Sequence, residues 1–312
     1  MPLAPNDGSI PDWSGPASTG HHKVNGVTLH DIEVGTPESP LVILLHGFPD
    51  FWWGWRRQIA HLASSGFRVV VPDQRGYNLS EKPVGFKAYD LDTLAADIIG
   101  LADAYGSKKV QLVGHDFGGF VGWWTATRHP DRVERLVAIN APHPHIALSY
   151  VRRHPIQMMR SFYMGIFQLP WVPESILGLS NYAVLRKTLT LSSRAGTFTA
   201  ADMKRYENAW AMPGALTGMI NWYRALRVRP QLAEVKVKVP TLVMWGLQDH
   251  FLDRGLADES MELCENAQFL GFENATHWVH LEEADAVNEA LVSFLSSPVG
   301  CISDTGSRVA AG

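Results

Sequence analysis

The chain has 312 residues, 46% of them hydrophobic and 19% charged, with a formal net charge of −4. That is enough apolar material for a large core, on a length that suggests one or two domains. The mild charge, with no basic stripe, argues against nucleic acid or an anionic membrane surface as a partner. Residues 1–20 are rich in Pro, Gly, Ser and Asp and lack the apolar stretch of a signal peptide. No segment reaches the roughly 18 uninterrupted apolar residues of a membrane span. The cysteines are Cys264 and Cys301 alone, too few for a disulfide framework or a cysteine metal site. A cytoplasmic protein with a loose N-terminal segment is expected.

Short Val/Ile/Leu runs then alternate with helical stretches, the pattern of an α/β chain with a mostly parallel sheet covered on both faces. Val24 to Val34, around Asn25-Gly26, predicts an opening antiparallel hairpin. Leu41 to Leu45 is a buried strand that ends at His46-Gly47-Phe48-Pro49, and Arg68 to Val71 is another, followed by Asp73-Gln74-Arg75-Gly76-Tyr77. Val110 to Val113 is a strand entering Gly114-His115-Asp116-Phe117-Gly118, and Phe117 to Arg128 reads as a helix stopped by His129-Pro130.

That glycine-flanked segment is the most informative in the chain. It has the form of a nucleophile elbow, a sharp strand-to-helix turn whose glycines leave room beside the central residue. Here the central residue is Asp116. A carboxylate is suited to displacement at saturated carbon, which gives an alkyl ester that an activated water can then open. The following helix would present its free N–H groups and positive end to an ionised Asp116. The bland alternative is that Asp116 only caps that helix.

Arg135 to Ile139 is the next strand, and Thr241 to Trp245 resumes the pattern. Between them lies a stretch with no convincing strand, six methionines and many aromatics. It reads as a helical insertion over the C-terminal edge of the sheet, where open α/β sheets bind ligands. Most of its methionines and aromatics are expected to form its own core. Gln268 to Phe272 is the last predicted strand, Glu282 to Leu295 a closing helix, and residues from Pro298 onward a loose tail. The resulting division is 1–20 as the N-terminal segment, 21–142 with 235–297 as the core, 143–234 as the cap and 298–312 as the tail.

In elbow enzymes the nucleophile is followed in the chain by an acid and then a histidine. His277, between the last strand and last helix, is the expected base that activates water. Asp249, just past the Thr241 strand, is the expected partner that orients the imidazole; Asp253 is its nearest rival. Asn140, at the end of the preceding strand, leaves the alternative acid position without an acid. The backbone N–H groups of Phe48 and Phe117 are expected to stabilise the oxyanion. Tyr163 and Tyr223 in the insertion are candidate proton donors to a departing oxygen, since a phenol is protonated at neutral pH. Phe48, Phe117, Tyr163, Tyr223 and Trp278 are expected to contact substrate.

With these residues in place, the chain from about Val24 to Leu295 resembles the epoxide hydrolases of the α/β-hydrolase fold. His46-Gly47-Phe48-Pro49 looks like that family's HGxP motif. Asp73 to Tyr77, with Ser80 and Pro83, is similar to its DxRGYxxS loop, and Asn140-Ala141-Pro142-His143-Pro144 follows its pattern. Tyr163 to Gln168 and Asn221-Trp222-Tyr223-Arg224 look like the segments holding its two ring-opening tyrosines. The resemblance implies an epoxide substrate, water as co-substrate, no cofactor and no metal; a homodimer is left open. Phe117 departs from the family's frequent tryptophan. A haloalkane dehalogenase is the main rival, but the side chains of Phe48 and Phe117 offer no N–H to a halide. A ligand-binding protein that kept the fold and lost catalysis is the rival from another class.

Overall fold

The computed structural model describes residues 10–228, 235–297 and 308–310. The chain opens with β1 (Ala17–Val24) and β2 (Val27–Val34), then β3 (Leu41–Leu45), α1 (Ile59–Ser64), β4 (Arg68–Pro72) and α2 (Leu91–Ala104). Next come β5 (Val110–His115), α3 (Phe117–Arg128) and β6 (Val133–Ile139). The insertion follows as α4 (Pro144–Arg153), α5 (Pro155–Arg160), α6 (Tyr163–Ile166), α7 (Val172–Leu191), α8 (Ala200–Trp210) and α9 (Ala215–Ala225). The core resumes with β7 (Thr241–Gly246), α10 (Gly255–Met261), β8 (Ala267–Phe272), α11 (Val279–Glu282), α12 (Ala284–Ser296) and β9 (Arg308–Ala310).

The strands form one nine-stranded sheet in the order β1-β2-β4-β3-β5-β6-β7-β8-β9. β2 pairs antiparallel with β1 and β4, and the strands from β4 onward pair in parallel. Strand order reverses direction around β3, so that β5 lies beside β3 and the loops after both strands meet. Every residue of β3 and β5 is buried, as apolar runs covered on both faces should be. No helix among the described residues is long and apolar enough to cross a membrane.

Several local features differ from expectation. The opening strand starts at Ala17 rather than Val24, because its residues pair without interruption from Ala17 opposite Val34 to Val24 opposite Val27. Residues 17–20 of the expected loose segment are therefore strand, while residues 1–9 lie outside the described residues. The closing helix comes as two pieces, α11 and α12, separated at Glu283, whose φ of −119° leaves the helical range. Both Glu282 and Glu283 carboxylates there engage Arg194. Residues 308–310 of the expected tail add β9 alongside β8, and the rest of the tail lies outside the described residues.

Most of the insertion's methionines and aromatics pack inward, as expected, with Tyr163, Met164 and Met203 partly buried against the core. Tyr206, Trp210, Met219, Trp222 and Tyr223 are buried, but Phe162, Trp171 and Met159 are 71%, 80% and 76% exposed. Ile156, Leu179 and Leu191, on α5 and α7, are likewise more than half exposed. Residues 229–234 of the expected cap lie outside the described residues.

Candidate active site

Asp116 stands between β5 and α3 with φ 53° and ψ −124°, a left-handed backbone strained for any residue with a Cβ. The glycines around it explain how the turn closes. A Cβ at Gly118 would strike the carbonyl of Leu45, and one at Gly47 would strike the Asp116 carboxylate. Asp116 sits at the N-cap position of α3 yet its side chain makes no capping hydrogen bond. The helix-cap explanation for this aspartate therefore lacks the contact it requires.

The carboxylate is instead held from two other sides. The backbone N–H of Phe48 donates to Asp116 Oδ1 at 2.9 Å, and His277 Nε2 lies 3.5 Å from Oδ2. On its far side, His277 Nδ1 is 2.8 Å from Asp249 Oδ2. The side chains of His277 and Asp249 are 3% and 1% exposed, against 20% for Asp116, so the nucleophile candidate is the most open of the three. The amide of Phe117 is the first of α3, where helical N–H groups have no partner one turn back.

Asp253 does not compete for the imidazole. Its Oδ1 accepts from the Tyr150 hydroxyl at 2.6 Å and the Gly255 N–H at 2.9 Å. Asp249 in turn accepts from Asn140 Nδ2 at 2.7 Å, while Asn140 Oδ1 takes the Gly246 N–H at 2.9 Å. The end of β6, noted in the sequence only for its missing acid, thus supplies the group that orients the acid of β7. Asn140 accepts a positive φ of 43° to do so, which asparagine tolerates better than most residues.

Electrostatics bind the three groups together. Burial works to raise the Asp116 and Asp249 carboxyls, but the His277 imidazolium and the hydrogen bonds outweigh it and hold both below the ordinary value. Burial likewise opposes charge on His277, yet Asp249 and Asp116 push its pKa from 6.5 up to about 10. Because the folded value lies above the unfolded one, this stabilisation is complete below pH 6.5 and fades as pH climbs toward 10. Thermal midpoints measured across that range should fall in the native protein by more than in His277→Gln. Parallel profiles would show that His277 is not raised.

A cavity of about 310 Å³ lies over Asp116. Phe48, Tyr163, Tyr223, His277 and Trp278 share its wall with Asp116. Tyr163 and Tyr223 stand with ring centroids 5.8 Å apart. Burial first, with the Asp116 charge adding to it, pushes both hydroxyls above the usual tyrosine value, so they remain proton donors. Their segments are tied together: Gln168 Nε2 donates to the Tyr223 carbonyl at 3.1 Å, and Arg224 Nε to the Phe167 carbonyl at 3.1 Å. Trp222 Nε1 donates to the Arg75 carbonyl at 2.9 Å, which fastens α9 to the loop after β4. Sequence reading quoted these flanking residues but gave them no role; their neighbours lie dozens of positions away.

Phe117 does not line this cavity. Its ring packs edge-on against Tyr223 at 4.7 Å and Trp222 at 5.6 Å, and faces a neighbouring space instead. The side chain leaves the elbow behind Tyr223, so it supports that tyrosine rather than touching what enters over Asp116. Trp278 lines the cavity, but its indole N–H is already given to Ser192 Oγ at 2.9 Å.

Comparison with known proteins identifies the fold family. The alpha/beta hydrolase fold family matches residues 40–284. AB hydrolase superfamily protein YfhM of Bacillus subtilis (strain 168) is 45% identical over 275 residues, 88% of this chain and 96% of that protein. Epoxide hydrolase 4 of Homo sapiens is 37% identical over 279 residues, 88% of this chain and 77% of that protein. Among solved structures, the epoxide hydrolase of Bacillus megaterium in complex with an inhibitor superposes with a TM-score of 0.83. It is 34% identical, over 89% of this chain and 100% of that one.

Proposed function

Since this chain belongs to the epoxide hydrolases of the alpha/beta hydrolase fold, we propose that it converts epoxides to vicinal diols through an ester on Asp116. The observation that carries the reading is the meeting of one carboxylate and two protonated phenols in a single cavity. Phe48 N–H holds Oδ1, which leaves Oδ2 as the attacking atom. Oδ2 bonds to an epoxide carbon, that carbon's bond to the ring oxygen breaks, and Tyr163 and Tyr223 polarise and protonate the oxygen as it leaves. The product is a hydroxyalkyl ester with its carbonyl oxygen still at Phe48.

Alkylation removes the Asp116 charge, one of the two carboxylates that hold His277 protonated. The imidazole proton is then free to restore the tyrosine that gave up its own, and neutral His277 becomes able to accept a proton from water. Water gives one proton to His277 and attacks the ester carbon, the negative charge gathering on Oδ1 at the Phe48 and Phe117 amides. The bond to the former Oδ2 then breaks, that oxygen leaves in the diol with the water's second proton, and Asp116 is ionised again beside protonated His277. Asp249, fixed by Asn140, keeps the imidazole oriented and supports its positive form.

The dehalogenase alternative lacks a free indole or amide side-chain N–H for a halide among these cavity residues. Phe48 has no side-chain N–H, and the Trp278 N–H is engaged with Ser192. Turnover of styrene oxide and a short bromoalkane in parallel separates the two chemistries: diol release with no bromide is expected, and bromide release alone would reverse the assignment. Replacing Tyr163 and Tyr223 together with Phe should slow ring opening by about 10²–10⁴-fold, more than either single change. Unchanged turnover in the double variant would remove the tyrosines from the mechanism.

A further inference from the structure

A second polar cluster lies outside the cavity wall, beside the nucleophile strand, and the reaction above makes no use of it. It comprises Asp50, His115 and His280, one ligating atom of each lying within 4.8 Å of the others. All three are buried, His115 and His280 at 1% exposure and Asp50 at 2%. His115 Nε2 is 2.8 Å from the His277 carbonyl oxygen, which can only accept, so that nitrogen carries the proton. Its Nδ1 is left with a lone pair and, among the described residues, no partner. Both ring nitrogens of His280 are likewise unpartnered. Three buried nitrogens without a partner among the described residues are costly for a folded protein and call for a ligand.

The surroundings have the form of a metal site's outer shell. A ligating histidine commonly donates its other N–H to a backbone carbonyl, and a ligating carboxylate is itself hydrogen-bonded. His115 meets the first condition through His277. Asp50 meets the second, its Oδ1 accepting from the Phe51 N–H and the Tyr206 hydroxyl at 2.8 Å each, which leaves Oδ2 free of those bonds. Two imidazoles and one carboxylate form a donor set suited to zinc-type ions.

We propose that Asp50, His115 and His280 bind one divalent transition-metal ion of the zinc type. The ion would not take part in epoxide opening. It would sit against the histidine that braces the His277 backbone. Arg56 and the His277 imidazolium both act on His280 as positive charges and oppose a dication, which keeps affinity below that of structural zinc sites.

The test uses the full-length protein after chelator treatment and Co²⁺ as the probe, followed by calorimetry and visible absorption. One equivalent should bind with the absorption of a tetrahedral ion, and His280→Gln and Asp50→Asn should each weaken it by about 100-fold or more, at least the upper end of what an outer-shell partner costs. Anomalous diffraction from native crystals soaked in Zn²⁺ should place the ion among the three side chains, without reliance on a variant that folds poorly. No stoichiometric binding in the native protein, or a peak only at surface histidines such as His21 and His22, would overturn the proposal and leave solvent as the partner of these nitrogens.

Discussion

In a His277→Gln variant, mixing with excess epoxide is expected to raise the intact mass of the protein by one substrate mass and to hold it there. The first half-reaction needs only an ionised Asp116 and the two phenols, all of which remain. The second needs a base for water, and a glutamine amide cannot serve. Loss of a positioned general base costs about 10²–10⁴-fold, so the ester should persist long enough to be weighed. The imidazolium also contributes to holding the Asp116 carboxyl down, and without it burial raises that pKa. The experiment therefore belongs near pH 8, where the carboxylate is ionised in either protein. Asp116→Ala should show no mass gain under the same conditions. A His277→Gln protein that turns over at the native rate with no adduct would end the two-step mechanism.

Much of this site could be read from the chain because its parts are local. The elbow, the five-residue strand before His46 and the helix Phe117–Arg128 each announce themselves by glycine placement or apolar period, and α3 has those same bounds. The order of nucleophile, acid and histidine located Asp249 and His277, which lie 2.8 Å apart. The features that escaped depend on tertiary neighbours. Asn140 bonds to Asp249 across 109 positions, and nothing near Asn140 signals that contact. The direction of the Phe117 ring depends on where α9 places Tyr223, so its identity could be read while its role as a buttress could not. Glu283 has ordinary helix propensity, and the break there coincides with the approach of Arg194 from the insertion. The exposure of Met158, Met159, Phe162 and Trp171 could not be read from the chain, since composition records how many apolar residues a segment has and not which side they take.

A single turnover in water enriched in heavy oxygen should leave the label in Asp116 and release an unlabelled diol. The geometry gives the reason. Oδ1 is tethered to the Phe48 N–H at 2.9 Å, so Oδ2 bonds to the substrate and later departs inside the diol. Water attacks the ester carbon and its oxygen takes the vacated position on the side chain. A mechanism in which water strikes the epoxide directly, with Asp116 as base, predicts the reverse: labelled diol and unlabelled protein. The distinction is all-or-none for the first cycle, which requires enzyme in excess over epoxide. Transfer to ordinary water for a second cycle then reads the tether. If the carboxylate stays fixed between turnovers, the label leaves in the second diol; if it rotates, about half remains on the protein, because a rotated carboxylate offers either oxygen to the next epoxide with equal chance. Label in the diol of the first cycle would assign the attack to water and leave the Phe48 contact without the oxyanion role given to it.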